Sequence, residues 1–479
     1  MKIQTKQFNI INVFRRIDGL TVLLYLTLVL MGWFNIYAAV LNENSSGIFD
    51  ISYKYGKQMI WIIASIIIAI SLIIIDSKFY SILAYPSYIF MLLILLAVIF
   101  MPSAKGQSSW FIIGDFKIQP AEFAKISTAL VLSRYISGYN IKITEWKHLQ
   151  RIIAIIGIPI ILIALQPDMG TTLVFASFLL VLYRHGMPGW VLIAFAISIL
   201  IFVFSFIFSP LYVSITILSV LFIFLLFAVS YHRISLKIII PTLISFTLPW
   251  ITVFYFNLNF PQFLLFIISF VLLIIPIIIY SYRKKIATLL VLFAIGIGSI
   301  SFSYSIDYIF HNMLQDHQRT RINVLFGLES DTKGVEYNVI QSKIAIGSGG
   351  FNGKGYLQGT QTKHNFVPEQ STDFIFCTVG EEWGFIGTSI VILLFLFLLI
   401  RLILLAERQR SIFSRVYGYS VASIFFFHFM VNIGMTVGLM PVIGIPLPFF
   451  SYGGSSLWAF TILLFIFVKL DADRDILIY

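Results

Sequence analysis

DFIFCTVGEEWGFIGTSIVILLFLFLLIRLI, residues 373–403, opens with a carboxylate, carries two more a short way in, and then runs on almost purely apolar. A bilayer is crossed by a helix of about 20 mostly apolar residues, so this stretch reads as a membrane span with its first acid at the interface. Similar runs recur along almost the whole 479-residue chain, of which 59% is hydrophobic and only 11% charged. Soluble domains carry about a quarter charged residues, and a membrane β-barrel would show alternation rather than continuous apolar runs. In lipid only helices satisfy their own backbone groups. The fold class is therefore an all-α polytopic membrane bundle.

Spans are predicted near 20–41, 57–75, 80–101, 121–138, 152–166, 170–184, 187–208, 211–231, 236–256, 260–281, 286–311, 373–403, 412–438 and 448–469, about 14 in all. With the N-terminus inside, the loops holding Lys142/Lys147/Arg151, Arg184, Arg233/Lys237, Arg283/Lys284/Lys285 and Arg408/Arg410/Arg415 all become cytoplasmic, as the positive-inside rule requires. That bias accounts for the net charge of +11 without invoking nucleic acid. The first apolar run, preceded by Lys2, Lys6, Arg15 and Arg16, is too long for a signal-peptide core and reads as a retained span. The single cysteine, Cys377, excludes a disulfide within the chain.

Two outer segments interrupt the pattern. One is 102–125; the other, 312–372, is the only long loop, and it holds six Lys/Arg, five Asp/Glu and a glycine-rich stretch, GSGGFNGKGYLQGTQ. Loops of that length are usually functional or disordered. Asp373, where this loop meets its span, suits a general base, since an ionisable group at a membrane boundary is costly unless used or paired. Equally, it could complement the dipole of a helix capped by Ser371 or Thr372. Glu369 reads as a solvated loop acid. Glu381 and Glu382 lie about 12 Å further along the same helix and require a basic or backbone partner.

Arg319, Arg321, Lys333, Lys343, Lys354 and Lys363 suit either an anionic headgroup or a solvated face. Lys125, inside a span beside Glu122, is either that acid's partner or part of a polar cavity. Asp168 in QPDMGTT reads as a helix cap ahead of a direct role. MPVIGIPLPFFSYGGSS (440–456) places Pro and Gly at membrane depth, where irregular backbone survives only if buried in protein or lining a cavity.

In order along the chain, QPAEFAK (119–125), QPDMGTT (166–172), QRTRI (318–322), YNVIQSKIAIGSGGFNGKGYLQGTQ (337–361), FVPEQSTDFIF (366–376), GEEWGFIG (380–387) and GMTVGLMPVIGIPLPFFSYGGSS (434–456) resemble the SEDS family (shape, elongation, division and sporulation), in its rod-shape branch. The resemblance implies a peptidoglycan glycosyltransferase of the bacterial cytoplasmic (inner) membrane. It would polymerise lipid II into a nascent β-1,4 glycan strand on the extracytoplasmic face, inverting the anomeric centre and releasing undecaprenyl pyrophosphate. Asp373 maps onto the family's essential TDF aspartate. Lys125, Arg319, Arg321, Lys343, Lys354 and Lys363 become pyrophosphate or headgroup candidates, with Glu122, Asp168, Glu369, Glu381 and Glu382 in support.

No metal ligands are assigned; a divalent cation (Mg or Mn) could share the charge, and no organic cofactor is expected. The implied partners are a class B penicillin-binding protein and other membrane proteins of the elongation machinery. Two departures stand out. Ser109 occupies a position where many relatives have Arg, and residues 185–285 add four spans between family-type halves at 1–184 and 286–479. A lipid II flippase and a non-catalytic scaffold are the alternatives; a flippase should carry polar residues through the membrane depth, whereas here the charges gather at one end.

Overall fold

The computed structural model describes residues 15–41, 49–101, 109–113, 116–232, 287–313, 335–363 and 366–475, together with Arg319, Asn323 and scattered residues between 244 and 272. The chain divides into two compact units, residues 1–192 with 330–479, and residues 193–329.

The first unit holds α1 (Gly19–Val40), α2 (Lys54–Ile74), α3 (Ser77–Ile99), a short hairpin of β1 (Phe111–Ile113) and β2 (Phe116–Ile118), α4 (Pro120–Ile136) and α5 (Trp146–Ala164). It continues with α6 (Met169–Val174), a 3-10 turn (Phe175–Ser177) and α7 (Phe178–Arg184). Its second half has α11 (Val335–Ser348), α12 (Thr360–Lys363), α13 (Ile375–Glu407), α14 (Ile412–Thr436) and α15 (Gly454–Ala472). In the second unit, α9 (Pro210–His232) packs on α10 (Ala287–Asn312), and Ser205, near the end of α8 (Trp190–Ile207), shares a 2.8 Å hydrogen bond with Ser303.

Burial sorts the helices into a centre and a rim. Apolar residues cover α15 on every side, 83% of its most apolar window is buried, and α14 follows at 72%. A helix apolar all round belongs inside a bundle. Outer helices point isoleucines away from the protein, as α2 does with Ile60, Ile63, Ile67, Ile70 and Ile74. Spaced three, four and seven apart they form one unpartnered stripe, which only hydrocarbon can cover at no cost. This is a multi-pass membrane protein.

Twelve of the expected spans coincide with described helices; those at 236–256 and 260–281 fall largely outside the described residues. Among the described residues eight helices are long and apolar enough to cross a membrane. Two expectations need correction. The span at 170–184 breaks into α6, a 3-10 turn and α7, because Asp168 starts a helix that Phe175 and its neighbours finish with tighter turns. The all-α class holds, with one short hairpin beside the helices whose register pairs Phe111 with Ile118. The long loop at 312–372 is not all loop, since α11 lies within it and packs along α13.

The contact between that loop and α13 explains the glycines. At Gly384 the helix takes φ 63° and ψ −155°, a conformation open essentially only to glycine. The break frees backbone groups on both sides, and the glycine loop takes them up. Lys354 N–H donates to Glu381 O and Gly355 N–H to Glu382 O, both at 3.0 Å, while Phe385 N–H donates to Gly350 O at 2.9 Å. Gly349 and Gly353 lie so close to the carbonyls of Gly380 and Glu382 that a side chain at either would collide with backbone.

Candidate active site

Between α14 and α15 the chain does not run as helix from Gly438 to Gly453. Pro441, Pro446 and Pro448 forbid helix continuation by removing donors and clashing with the preceding turn. Residues of α14, α6 and the turn before α13 converge on its middle. Asn432, one turn before the end of α14, donates Nδ2 to Ile445 O at 2.7 Å and to Asp373 O at 2.9 Å, tying the strand to the mouth of α13. His428, one turn earlier, meets Pro446 O through Nδ1 at 3.1 Å. Gly170 abuts Ile443 O so closely that any side chain there would collide. Gly444, with φ +70°, faces the Asp373 carboxylate: a Cβ built on it would stand 3.3 Å from Oδ2.

Asp373 itself is half-buried in the turn before α13, between buried Ser371 and buried Phe374. Two non-glycine residues of these segments have left-handed backbone, Glu369 four positions before Asp373 at φ 54° and Phe449 between α14 and α15 at φ 65°. Such strain, costing on the order of 1–3 kcal/mol each, persists where the surroundings over-determine it, and it clusters at functional sites.

Beneath the strand lies a charged core. Lys125, fully buried on α4, is 2.8 Å from Glu122 Oε2 and 2.8 Å from His428 Nε2, with its ammonium 5.1 Å above the Phe460 ring centroid. A carbonyl only accepts and an ammonium only donates, so His428 is the neutral tautomer that carries its proton on Nδ1 and accepts from Lys125 at Nε2. Asp168 caps α6 through Thr171 N–H at 3.1 Å and also accepts from Gln119 Nε2 at 2.5 Å.

The structure scatters the remaining sequence candidates. Lys125 is sealed against Glu122 and cannot reach a headgroup at the surface without breaking that pair. Lys354 donates to Glu381 Oε1 at 2.6 Å, and the same carboxylate receives Gln361 N–H at 2.8 Å and Thr362 N–H at 2.9 Å. Glu381 thus organises the 354–363 loop. Glu382 is equally buried; the amides of Leu357 and Gly359 serve it, and Oε2 has no hydrogen-bond partner. Lys343 is exposed on α11 with its ammonium over Gly438, and Lys363 is exposed at the end of α12. Arg319 belongs to the second unit, where Nη2 donates to His311 O at 2.6 Å. Arg321 lies outside the described residues. Ser109 is buried with no partner for its hydroxyl.

Sequence reasoning missed three site residues. His428 and Asn432 sit four apart on one face of an otherwise apolar helix (FFFHFMVNIGM), a signal that was readable. Lys54 opens α2 and donates to Ser371 Oγ at 2.9 Å, and nothing local announced that contact.

Residues 18–221 and 213–476 match the family described as the FtsW, RodA and SpoVE cell cycle proteins. The chain belongs to that family, the one its motifs resemble. It is 30% identical over 461 residues to the peptidoglycan glycosyltransferase RodA of Treponema pallidum, a match covering 95% of this chain and 98% of that one. To the peptidoglycan glycosyltransferase MrdB of Escherichia coli it is 28% identical over 426 residues, covering 88% and 86%. Among solved structures it resembles a chain of a peptidoglycan synthase complex that coordinates polymerization and crosslinking, with TM-score 0.59, 24% identity and coverage of 96% and 98%. The rod shape determining protein RodA of Thermus thermophilus gives TM-score 0.53 at 21% identity, with coverage of 96% and 97%. These structures share its fold. Like its curated relatives, the chain is a membrane-embedded glycosyltransferase.

Proposed function

We propose that the chain polymerises lipid II on the extracytoplasmic face of the bacterial inner membrane during cell-wall elongation, with Asp373 as general base. The observation that carries this is the position of Asp373. It is half-buried at the mouth of α13, its backbone tied by Asn432 and its carboxylate set against Gly444 of an irregular strand. Both reactants are held by polyprenyl tails, so their reacting atoms meet only at the interface, and the base must be there too.

In the step we infer, the Asp373 carboxylate takes the proton of the acceptor GlcNAc 4-hydroxyl. The freed oxygen forms a bond to the donor's anomeric carbon while that carbon's bond to the diphosphate breaks. Undecaprenyl diphosphate leaves with the electron pair. One displacement turns an α-linked donor into a β-1,4 product, so no covalent enzyme intermediate is needed. Positive charge near the leaving group lowers the barrier because charge develops there in the transition state.

Among the described residues no cluster of three or more His, Cys, Asp or Glu could hold a metal. We propose that any divalent cation enters as the diphosphate's counter-ion, and no step here runs through it.

The related synthase complex, which couples polymerization to crosslinking, supports a class B penicillin-binding protein as partner, docking on the outer loops and lipid-facing helices. The test is purified protein, alone and with its transpeptidase, incubated with lipid II. Glycan product that disappears in Asp373→Asn supports the proposal; equal product from both proteins refutes it.

A further inference from the structure

In the segment just before Asp373 is a cavity of about 290 Å³, lined by Ala39, Val40, Lys54, Glu369, Gln370 and Ser371 among others. Its wall is fixed. Gln370 Nε2 donates to Ala39 O at 2.6 Å and to Thr362 O at 2.7 Å, and Tyr452 N–H donates to Ser371 O at 2.9 Å. Lys54 enters from α2, with its ammonium 2.9 Å from Ser371 Oγ and 5.8 Å from the Tyr452 ring centroid. An ammonium has three N–H donors. Ser371 takes one, and the residue is exposed, so donors remain for a ligand entering the cavity.

Position gives the cavity its meaning. Ser371 is two residues from Asp373, at most about 7 Å along the chain. A diphosphate held by Lys54 would therefore be anchored two residues from the proposed base. A glycosyl transfer needs its leaving group close to its base, since both act on one donor sugar. Of the cations named from sequence, Lys125 is sealed with Glu122 and Lys354 is engaged by Glu381.

We propose that this cavity is a subsite for the diphosphate of a lipid-linked sugar, with Lys54 as its cation. The assignment rests on the reading of the chain as a lipid II polymerase and adds a residue to it. Two sources share this chemistry, a polyprenyl diphosphate and the phosphate of a bulk phospholipid, and the experiment separates them.

The full-length protein in detergent micelles is titrated with undecaprenyl diphosphate, with undecaprenol as the uncharged control and phosphatidylglycerol as competitor. Lys54→Gln should weaken binding of undecaprenyl diphosphate about tenfold or more, as loss of a charge-assisted hydrogen bond does. Lys54→Arg should stay within about threefold of wild type, because it keeps the charge. Undecaprenol binding should not change, and phosphatidylglycerol should not displace the diphosphate. Unchanged affinity in Lys54→Gln overturns the assignment. So does an equal loss for undecaprenol, or equal displacement by phosphatidylglycerol. Binding is measured without turnover, so this result is independent of whether Asp373→Asn abolishes polymerisation.

Discussion

Asp373 works, on this account, because its neighbours hold it still. Gly444 is the closest test of that statement. Its φ of +70° already disfavours a side chain, and a Cβ there would meet Asp373 Oδ2 at 3.3 Å. Gly444→Ala should leave the protein folded and lower kcat roughly tenfold or more, since small misplacements at a reacting centre are expensive. A lipid II polymerisation assay reads this directly, and wild-type turnover would contradict it. His428 gives a second test. Replacing it with Phe strands Pro446 O and removes an acceptor from buried Lys125, at a cost of about 1–3 kcal/mol. Gln at 428 can still donate to one and accept from the other. Thermal unfolding in detergent should therefore rank wild type above His428→Gln, and His428→Phe last. Asp373 was legible in the sequence because it lies where a polar segment meets an apolar one. The contacts of Lys54 and His428 were not, because their partners lie 317 and 303 residues away and no local pattern records such contacts.

Helix α13 was read correctly in its extent and missed in its shape. Sequence periodicity sees apolar residues on both sides of Gly384 and registers no break, yet the break is what docks the glycine loop. Gly384→Ala forces a Cβ into a backbone conformation that alanine avoids and into contact with Gly353 and Phe351. We expect it to destabilise the protein by about 1–3 kcal/mol and to expose the 349–363 loop to protease. Limited proteolysis with band mapping checks both effects, and an unchanged digestion pattern would contradict the docking. Glu381 and Glu382 were rightly expected to need partners. That these come mostly from backbone amides 20 or so residues upstream depends on a loop fold that sequence does not encode locally. The irregular strand between α14 and α15 was legible, because three prolines in one short stretch allow little else.

At the scale of the molecule, the ends of the spans opposite Asp373 are latched by charge. Asp18 caps α1 through Thr21 N–H at 3.0 Å and pairs with Arg401 of α13. Arg408 and Gln409 converge on Asp471 of α15, and Arg184 meets Glu407 at 2.6 Å. Burial alone would raise the Asp18 carboxyl, but Arg401 and the Thr21 hydroxyl and amide outweigh it and hold it down to about 2. A carboxyl depressed in the folded state stabilises the protein above its unfolded value, near 3.9. That contribution is lost as pH falls from about 4 through about 2. The stability gap between wild type and Asp18→Asn should thus be constant above about pH 5 and close below pH 4; a gap that widened on acidification would contradict the pairing. The bundle's existence followed from composition, whereas its division at residues 192 and 330 depends on which helices pack together.

The most direct measurement is lipid II polymerisation by purified wild type and Asp373→Asn, each with its cognate transpeptidase, alongside thermal unfolding of both. The account predicts glycan strands from wild type, none from the variant, and matching unfolding midpoints. Glycan strands of normal length and rate from a folded Asp373→Asn protein would contradict it.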